Sequence, residues 1–175
     1  MTAGDLGLVP ARMSLAATML KHGLPKLRGE GRAQAAGFME QLGFKPGARF
    51  AVLVGAAEVF AGVSLALGVA TRVGALAVLA TQGVAVAKVH APKGFDNMAG
   101  GWEFNALLMA TALGVLLAGP GEVSVHGLLR RGVESGPRRL ERGARWLLDG
   151  SRRLGARRFG APRPGLAASV TRLLA

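Results

Sequence analysis

Cysteine is absent from the chain, which excludes disulfides, a CxxC redox pair, a thiolate nucleophile and cysteine-ligated iron–sulfur or zinc sites within it. Charge is scarce as well: 18% of residues are charged against 50% hydrophobic, and with 27 glycines and a mean hydropathy of +0.34 this is not the profile of a soluble globular domain. Acidic residues are the rarest charged class, 10 against 22 lysines and arginines. The imbalance is local. Residues 128–175 hold 12 arginines but only Glu134, Glu141 and Asp149, whereas residues 1–127 hold 10 basic and 7 acidic groups. No nucleophile with a base and an orienting acid emerges, so whether the protein is an enzyme stays open.

What is present instead is a succession of apolar runs near the length of a bilayer crossing. The first twelve residues contain Asp5 and only one base, Arg12, so a cleavable signal peptide is not expected. A first span is predicted from about Leu6 to Leu27, with Pro10 in its first turn and with Arg12 and Lys26 near its ends, where long side chains reach the headgroups. Within residues 28–49, Ala35, Phe38, Met39 and Leu42 recur at spacings of three and four, predicting a short interfacial helix ended by Gly43. Phe50 to Ala70 is the clearest span, about 21 apolar or small residues at about 1.5 Å each, with Glu58 its one charge. Thr71-Arg72 is read as the connection to a third span, Val73 to Val89, and a fourth runs from Trp102 to about Ala118, closed by Gly119-Pro120-Gly121. Small residues four apart, Ala57/Ala61, Gly62/Ala66 and Gly83/Ala87, suit close helix packing.

The expected architecture is therefore all-α: an integral membrane four-helix bundle over residues 1–127, with a short interfacial helix and a basic C-terminal tail over residues 128–175. An even number of crossings puts both termini on one side. That side collects Arg12, Arg72 and the tail arginines, so the positive-inside rule predicts cytoplasmic termini. In the tail, Leu140, Ala144, Leu147 and Leu154 recur near helical spacing after Pro137, with Trp146 and Phe159 as interface anchors, predicting a basic amphipathic helix up to about Phe159.

The order of pieces resembles the DoxX family of small four-helix bacterial membrane proteins. The residues that carry the resemblance are Arg12; His22-Gly23-Leu24-Pro25-Lys26-Leu27; Leu42-Gly43-Phe44; Glu58 within GAAEVFAG; Leu67-Gly68 before Thr71-Arg72; Gly100-Gly101-Trp102-Glu103-Phe104-Asn105; and Gly119-Pro120-Gly121 with Ser124. It covers residues 10–127. His126 stands where the family pattern has an aspartate, and the arginine-rich tail lies outside it. The resemblance implies the bacterial inner membrane and a place in a membrane-associated oxidoreductase complex, since such proteins look like relatives of the small subunits of thiosulfate:quinone oxidoreductase.

The span order gathers polar residues at the outer side independently of that resemblance. His22, Lys26, His90 and Glu103 fall near that surface, with Glu58 about two turns inside it. An intramembrane carboxylate needs a partner, here Lys26 or His22. Two readings of the cluster His22, Lys26, Glu58 and Glu103 follow. One is a pocket for a quinone headgroup or a proton; the other is an inter-helix ion pair that fixes helix order. Glu103 equally suits the positive N-terminal end of the fourth helix. No metal site is expected, because His22 and His90 lack an evident third ligand. Ser14, Ser64, Thr81 and Gln82 are expected to hydrogen-bond across helices.

Two functions remain in view. The first is a subunit or support of an oxidoreductase complex, quinone-facing, with a redox partner protein. The second is a non-catalytic scaffold whose tail binds anionic lipid or an acidic partner. Nucleic acid is the weaker counterpart for the tail, because membrane tethering gives anionic lipid the local advantage.

Overall fold

Glycines and one left-handed alanine set several of the helix boundaries among the described residues. The computed structural model describes residues 3–132, and among them all regular structure is helical. The chain divides into two units, Met1–Arg130 and Arg131–Ala175, and every contact discussed below lies within the first. The tail helix expected from Pro137 to Phe159 falls outside the described residues.

Helix α1 spans Ala3–Lys26, α2 Gly29–Gln41, α3 Gly47–Leu67, α4 Thr71–Ala85 and α5 Glu103–Ala118. Two of these boundaries differ from expectation. Helix α1 begins three residues earlier than Leu6, so Pro10 lies in its interior rather than its first turn. The early turn is held because Asp5 accepts a hydrogen bond from the Glu122 backbone N–H at 3.1 Å. The connection between α3 and α4 is not Thr71-Arg72, which open α4, but the three residues before them. There Gly68 (φ +68) takes the left-handed conformation that ends a helix, and Ala70 (φ +50) repeats it. Helix α4 also runs on beyond Ala85 through a π turn, Val86–His90, and a 3₁₀ turn, Ala91–Lys93.

Helix α1 packs on α3, α3 on α4, α4 on α5, and α5 returns to α1; α2 lies against α3 and α1. The shared core is Leu15, Ala16, Met19, Ala61, Leu65, Ala75, Val78, Leu108, Ala112 and Val115. Close approach is glycine-dependent. At Gly62 an added Cβ would fall 2.6 Å from Leu20 Cγ, and at Gly74 2.8 Å from Ser64 Oγ. Gly83 has nothing within 4 Å, so the predicted Gly83/Ala87 pair is not a packing contact.

The outward faces are as apolar as the core. Leu53, Phe60, Val63 and Leu67 are exposed along α3, Val73, Leu76 and Val84 along α4, and Leu107, Leu113 and Leu117 along α5. A belt of large apolar side chains on every helix needs an apolar solvent, not water. Two stretches, Gly47–Leu67 and Thr71–Lys93, are long and apolar enough to cross a bilayer, with mean hydropathies of 2.1 and 1.4. Glu103–Ala118 is apolar but shorter.

Arg12 departs from the headgroup position expected of it. It is 3% exposed, and its Nε donates to Leu65 O at 3.0 Å while Nη1 donates to Pro120 O. Carbonyls at the end of α3 and just past α5 have no partner within their helices, and the guanidinium fork satisfies both. Arg72 does the same for Leu116 O at 3.2 Å.

Candidate functional site

The opposite half of the molecule, where α2 and the loop after α4 lie, holds a cavity of about 740 Å³. Its walls come from α1, α2, α3, α4 and α5 together. The stripe Ala35, Phe38, Met39 and Leu42, legible on α2 as an apolar face, forms one wall. Leu53, Val54 and Ala57 of α3 and Ala80, Val84 and Ala85 of α4 supply the flanks. Leu53, Val84 and Phe38 are also among the exposed apolar residues, so the cavity opens sideways through the apolar belt. At its rim Lys88 Nζ sits 5.8 Å from the centroid of Phe44, whose ring tilts against Phe50 at 5.2 Å.

Into this apolar space project a few polar groups. Lys26 Nζ lies 2.5 Å from Glu58 Oε2 and also donates to His22 O, one turn back on α1, at 3.1 Å. The pair forms where α1 and α3 touch backbone to backbone. A Cβ on Gly23 would fall 2.9 Å from Glu58 Cβ, and one on Gly55 would fall 2.9 Å from Lys26 Cβ. Glu58 is 5% exposed, so its charge is held by Lys26 and not by water. Across the cavity Asn105 Nδ2 on α5 donates to Gln82 Oε1 on α4 at 2.8 Å, both residues buried. His90 closes the end of the cavity beside the loop after α4, its Nδ1 2.7 Å from Gly100 O. Because a carbonyl oxygen only accepts, Nδ1 is the donor in this contact.

The segment carrying His90 and Asn97 is tied to itself. Gly101 N donates to Asp96 O at 2.8 Å, Trp102 N to Gly94 O at 3.2 Å and Glu103 N to Phe95 O at 3.0 Å, while Phe95 and Trp102 meet edge to face at 4.8 Å. Gly101 is required here, because a Cβ would fall 2.2 Å from Gly94 O.

Of the four residues that sequence singles out, the structure brings His22, Lys26 and Glu58 to one cavity and leaves Glu103 outside it. Glu103 is exposed in the first turn of α5 and accepts a hydrogen bond from Asn97 N at 3.2 Å, beside a smaller depression lined by Phe95 and Phe104. His22 and His90 both line the cavity, but among the described residues no three His, Asp or Glu side chains converge as a metal site requires. Of the hydroxyl and amide residues expected to bond across helices, Ser14, Ser64 and Thr81 bond to carbonyls of their own helix or its adjoining turn, whereas Gln82 does bridge to a neighbour. Asn105 was not among them. Its signal was an amide within an apolar run, which only its position opposite Gln82 makes specific.

The arrangement can hold a molecule with an apolar body and a polar head, since most of the lining is apolar and the few hydrogen-bonding groups converge from different helices. The DoxX family model matches residues 7–91, from within α1 to the residue after the π turn, so that α5 lies beyond the match. No curated protein and no solved structure matches the chain.

Proposed function

From the premise that residues 7–91 make this chain a DoxX-family protein, we propose that it is a multi-pass protein of the bacterial inner membrane that binds quinone as a subunit or support of an oxidoreductase complex. In this reading α1, α3, α4 and α5 cross as a four-helix bundle, α2 lies at the outer interface, and both termini are cytoplasmic. The observation that carries it is the cavity: about 740 Å³, open to the apolar belt, with the Lys26–Glu58 pair in its wall. A quinone has a flat head with carbonyl acceptors at opposite ends and an isoprenoid tail that stays in lipid. Lys26 Nζ, which has three donors and uses two, suits a carbonyl; the sideways opening beside Leu53 and Val84 suits the tail. His22, Lys26 and Glu58 are the residues we assign to the head; Glu103, outside the cavity, has no part in it.

The test is direct titration of the full chain in lipid nanodiscs with decylubiquinone, followed by calorimetry. Saturable one-to-one binding is expected, and it should be lost in Ala80→Trp, which fills the cavity from the α4 side. Absence of saturable binding by the unaltered protein defeats the reading.

The abundance of arginine in residues 128–175 supports a second reading, a membrane scaffold whose tail binds anionic lipid or an acidic partner. The two are compatible in one molecule. They separate experimentally, since the second predicts no loss of function on filling the cavity.

A further inference from the structure

The Gln82–Asn105 pair faces the same cavity as Lys26–Glu58 but from α4 and α5, and its hydrogen-bonding capacity is not used up. Gln82 is 8% exposed and Asn105 6% exposed. Each amide offers two donors and one acceptor oxygen, and a single bond joins them, Asn105 Nδ2 to Gln82 Oε1. The Gln82 NH₂ group and the Asn105 carbonyl oxygen therefore have no protein partner, and neither is sealed from the cavity space. Turning both amides over leaves the same inventory, one NH₂ and one carbonyl, with the residues exchanged. A polar group so deep in an apolar wall is costly unless something pairs with it.

The Lys26–Glu58 pair has the same kind of remainder. Lys26 keeps a third N–H, and Glu58 Oε1 is not engaged while Oε2 takes the lysine. Each end of the polar lining thus presents at least one free donor together with a free acceptor.

We propose that Gln82 and Asn105 form the second pole of the head-group site, so that the cavity takes a para-quinone and its quinol alike, one oxygen at each pole. This deepens the quinone reading and rests on it. In the quinone both oxygens accept, from Lys26 Nζ at one pole and the free amide NH₂ at the other. In the quinol each hydroxyl also donates, to Glu58 Oε1 and to the free amide carbonyl. A site with donors alone would favour the quinone, and a site with acceptors alone the quinol. Paired donor and acceptor at both poles fit a site that retains its ligand through a change of redox state.

The experiment uses the full chain in nanodiscs with three probes of equal tail length: decylubiquinone, its quinol under argon, and decylbenzene, which has no oxygen. Unaltered protein should bind the quinone and the quinol within about threefold of each other and decylbenzene at least tenfold more weakly. The near-isosteric Gln82→Leu/Asn105→Leu double variant removes both amides without leaving either unpaired, so it should melt close to the unaltered protein. It should nevertheless lose at least tenfold in affinity for quinone and quinol while binding decylbenzene unchanged. A folded double variant that still prefers quinone over decylbenzene as strongly as the unaltered protein overturns the proposal and leaves the quinone reading standing. Should the double variant fail to fold, Gln82→Met alone gives the same comparison of oxygenated and oxygen-free probes, with the same two outcomes. No saturable quinone binding by the unaltered protein overturns both.

Discussion

Gly23 and Gly55 face each other across the α1–α3 seam, each at the point where the other's carbonyl oxygen comes closest. A Cβ on Gly23 would meet Gly55 O at 3.0 Å, and a Cβ on Gly55 would meet Gly23 O at 3.2 Å. The ion pair lies three residues further along each helix, at Lys26 and Glu58. Helix separation and ion-pair geometry are therefore one feature: only with no side chain at positions 23 and 55 do α1 and α3 come close enough for Lys26 Nζ to reach Glu58 at 2.5 Å.

Gly23→Ala should accordingly wedge α1 from α3, costing about 1–3 kcal/mol through overpacking. Gly37→Ala, where nothing lies within 4 Å, is the control and should be neutral or slightly stabilising, since alanine is the better helix former. Melting temperatures in mild detergent check the pair. Equal melting of the two variants would show that the seam yields without cost.

Much of this was legible in the sequence, and the exceptions have physical reasons. The α5 terminus could be read because Gly119 takes a conformation that suits glycine, with φ of +83, whereas Gly68 at φ +68 ends α3 three residues before the expected Ala70. The α3–α4 connection was misplaced by three residues because Ala70 adopts φ +50, which nothing about alanine announces. Glu58 stood out because charge in an apolar run has a single strong explanation. Gln82 and Asn105 carry a weaker version of the same signal, and their pairing depends on which turns of α4 and α5 meet, a tertiary fact. Arg12 misled for a related reason: the end of a span is where an arginine ordinarily reaches headgroups, and only the folded chain brings Leu65 O and Pro120 O within its reach.

Arg12 gives the next expectation. Arg12→Met would remove both hydrogen bonds and leave two carbonyls buried without donors, a loss of about 3 kcal/mol. Arg12→Lys should recover only part, because an ammonium on a single stem does not reproduce the fork that serves two oxygens at once. Full recovery by lysine in a thermal melt would show that charge near the helix ends, not bidentate geometry, is what matters.

Orientation can be decided with reporters. The concentration of arginine at Arg12, Arg72 and residues 128–175 predicts that alkaline phosphatase fused after Ala175 is inactive and a fluorescent protein there is bright. Alkaline phosphatase inserted at Gly94, in the loop at the other end, should be active. The reverse pattern would invert the topology and put the cavity on the cytoplasmic side.

For the tail, a peptide of residues 137–159 should gain helicity on vesicles containing anionic lipid and not on neutral ones. Each arginine near the surface contributes about 1 kcal/mol of attraction, and affinity should fall steeply as salt rises. Equal binding to both vesicle types, or no helix on either, defeats the amphipathic-helix expectation.

Glu58 is where the structural and functional readings part. As a staple, the pair with Lys26 holds α1 to α3, and Glu58→Gln leaves the lysine ammonium in an apolar wall, 22% exposed, without its counter-charge. Breaking one member of such a pair costs about 3 kcal/mol or more, and Glu58→Gln/Lys26→Met should recover most of it by removing the stranded charge. As a quinone contact, Glu58 Oε1 matters for a different reason: it accepts from the quinol hydroxyl. In the stabilised double variant quinol affinity should then drop at least tenfold, although the fold is restored. Melting temperature and quinol titration, measured on the single and double variants together, separate the two roles. Recovery of stability with quinol affinity intact would make the pair a staple alone, and unchanged behaviour of Glu58→Gln in both measurements would remove either role from it.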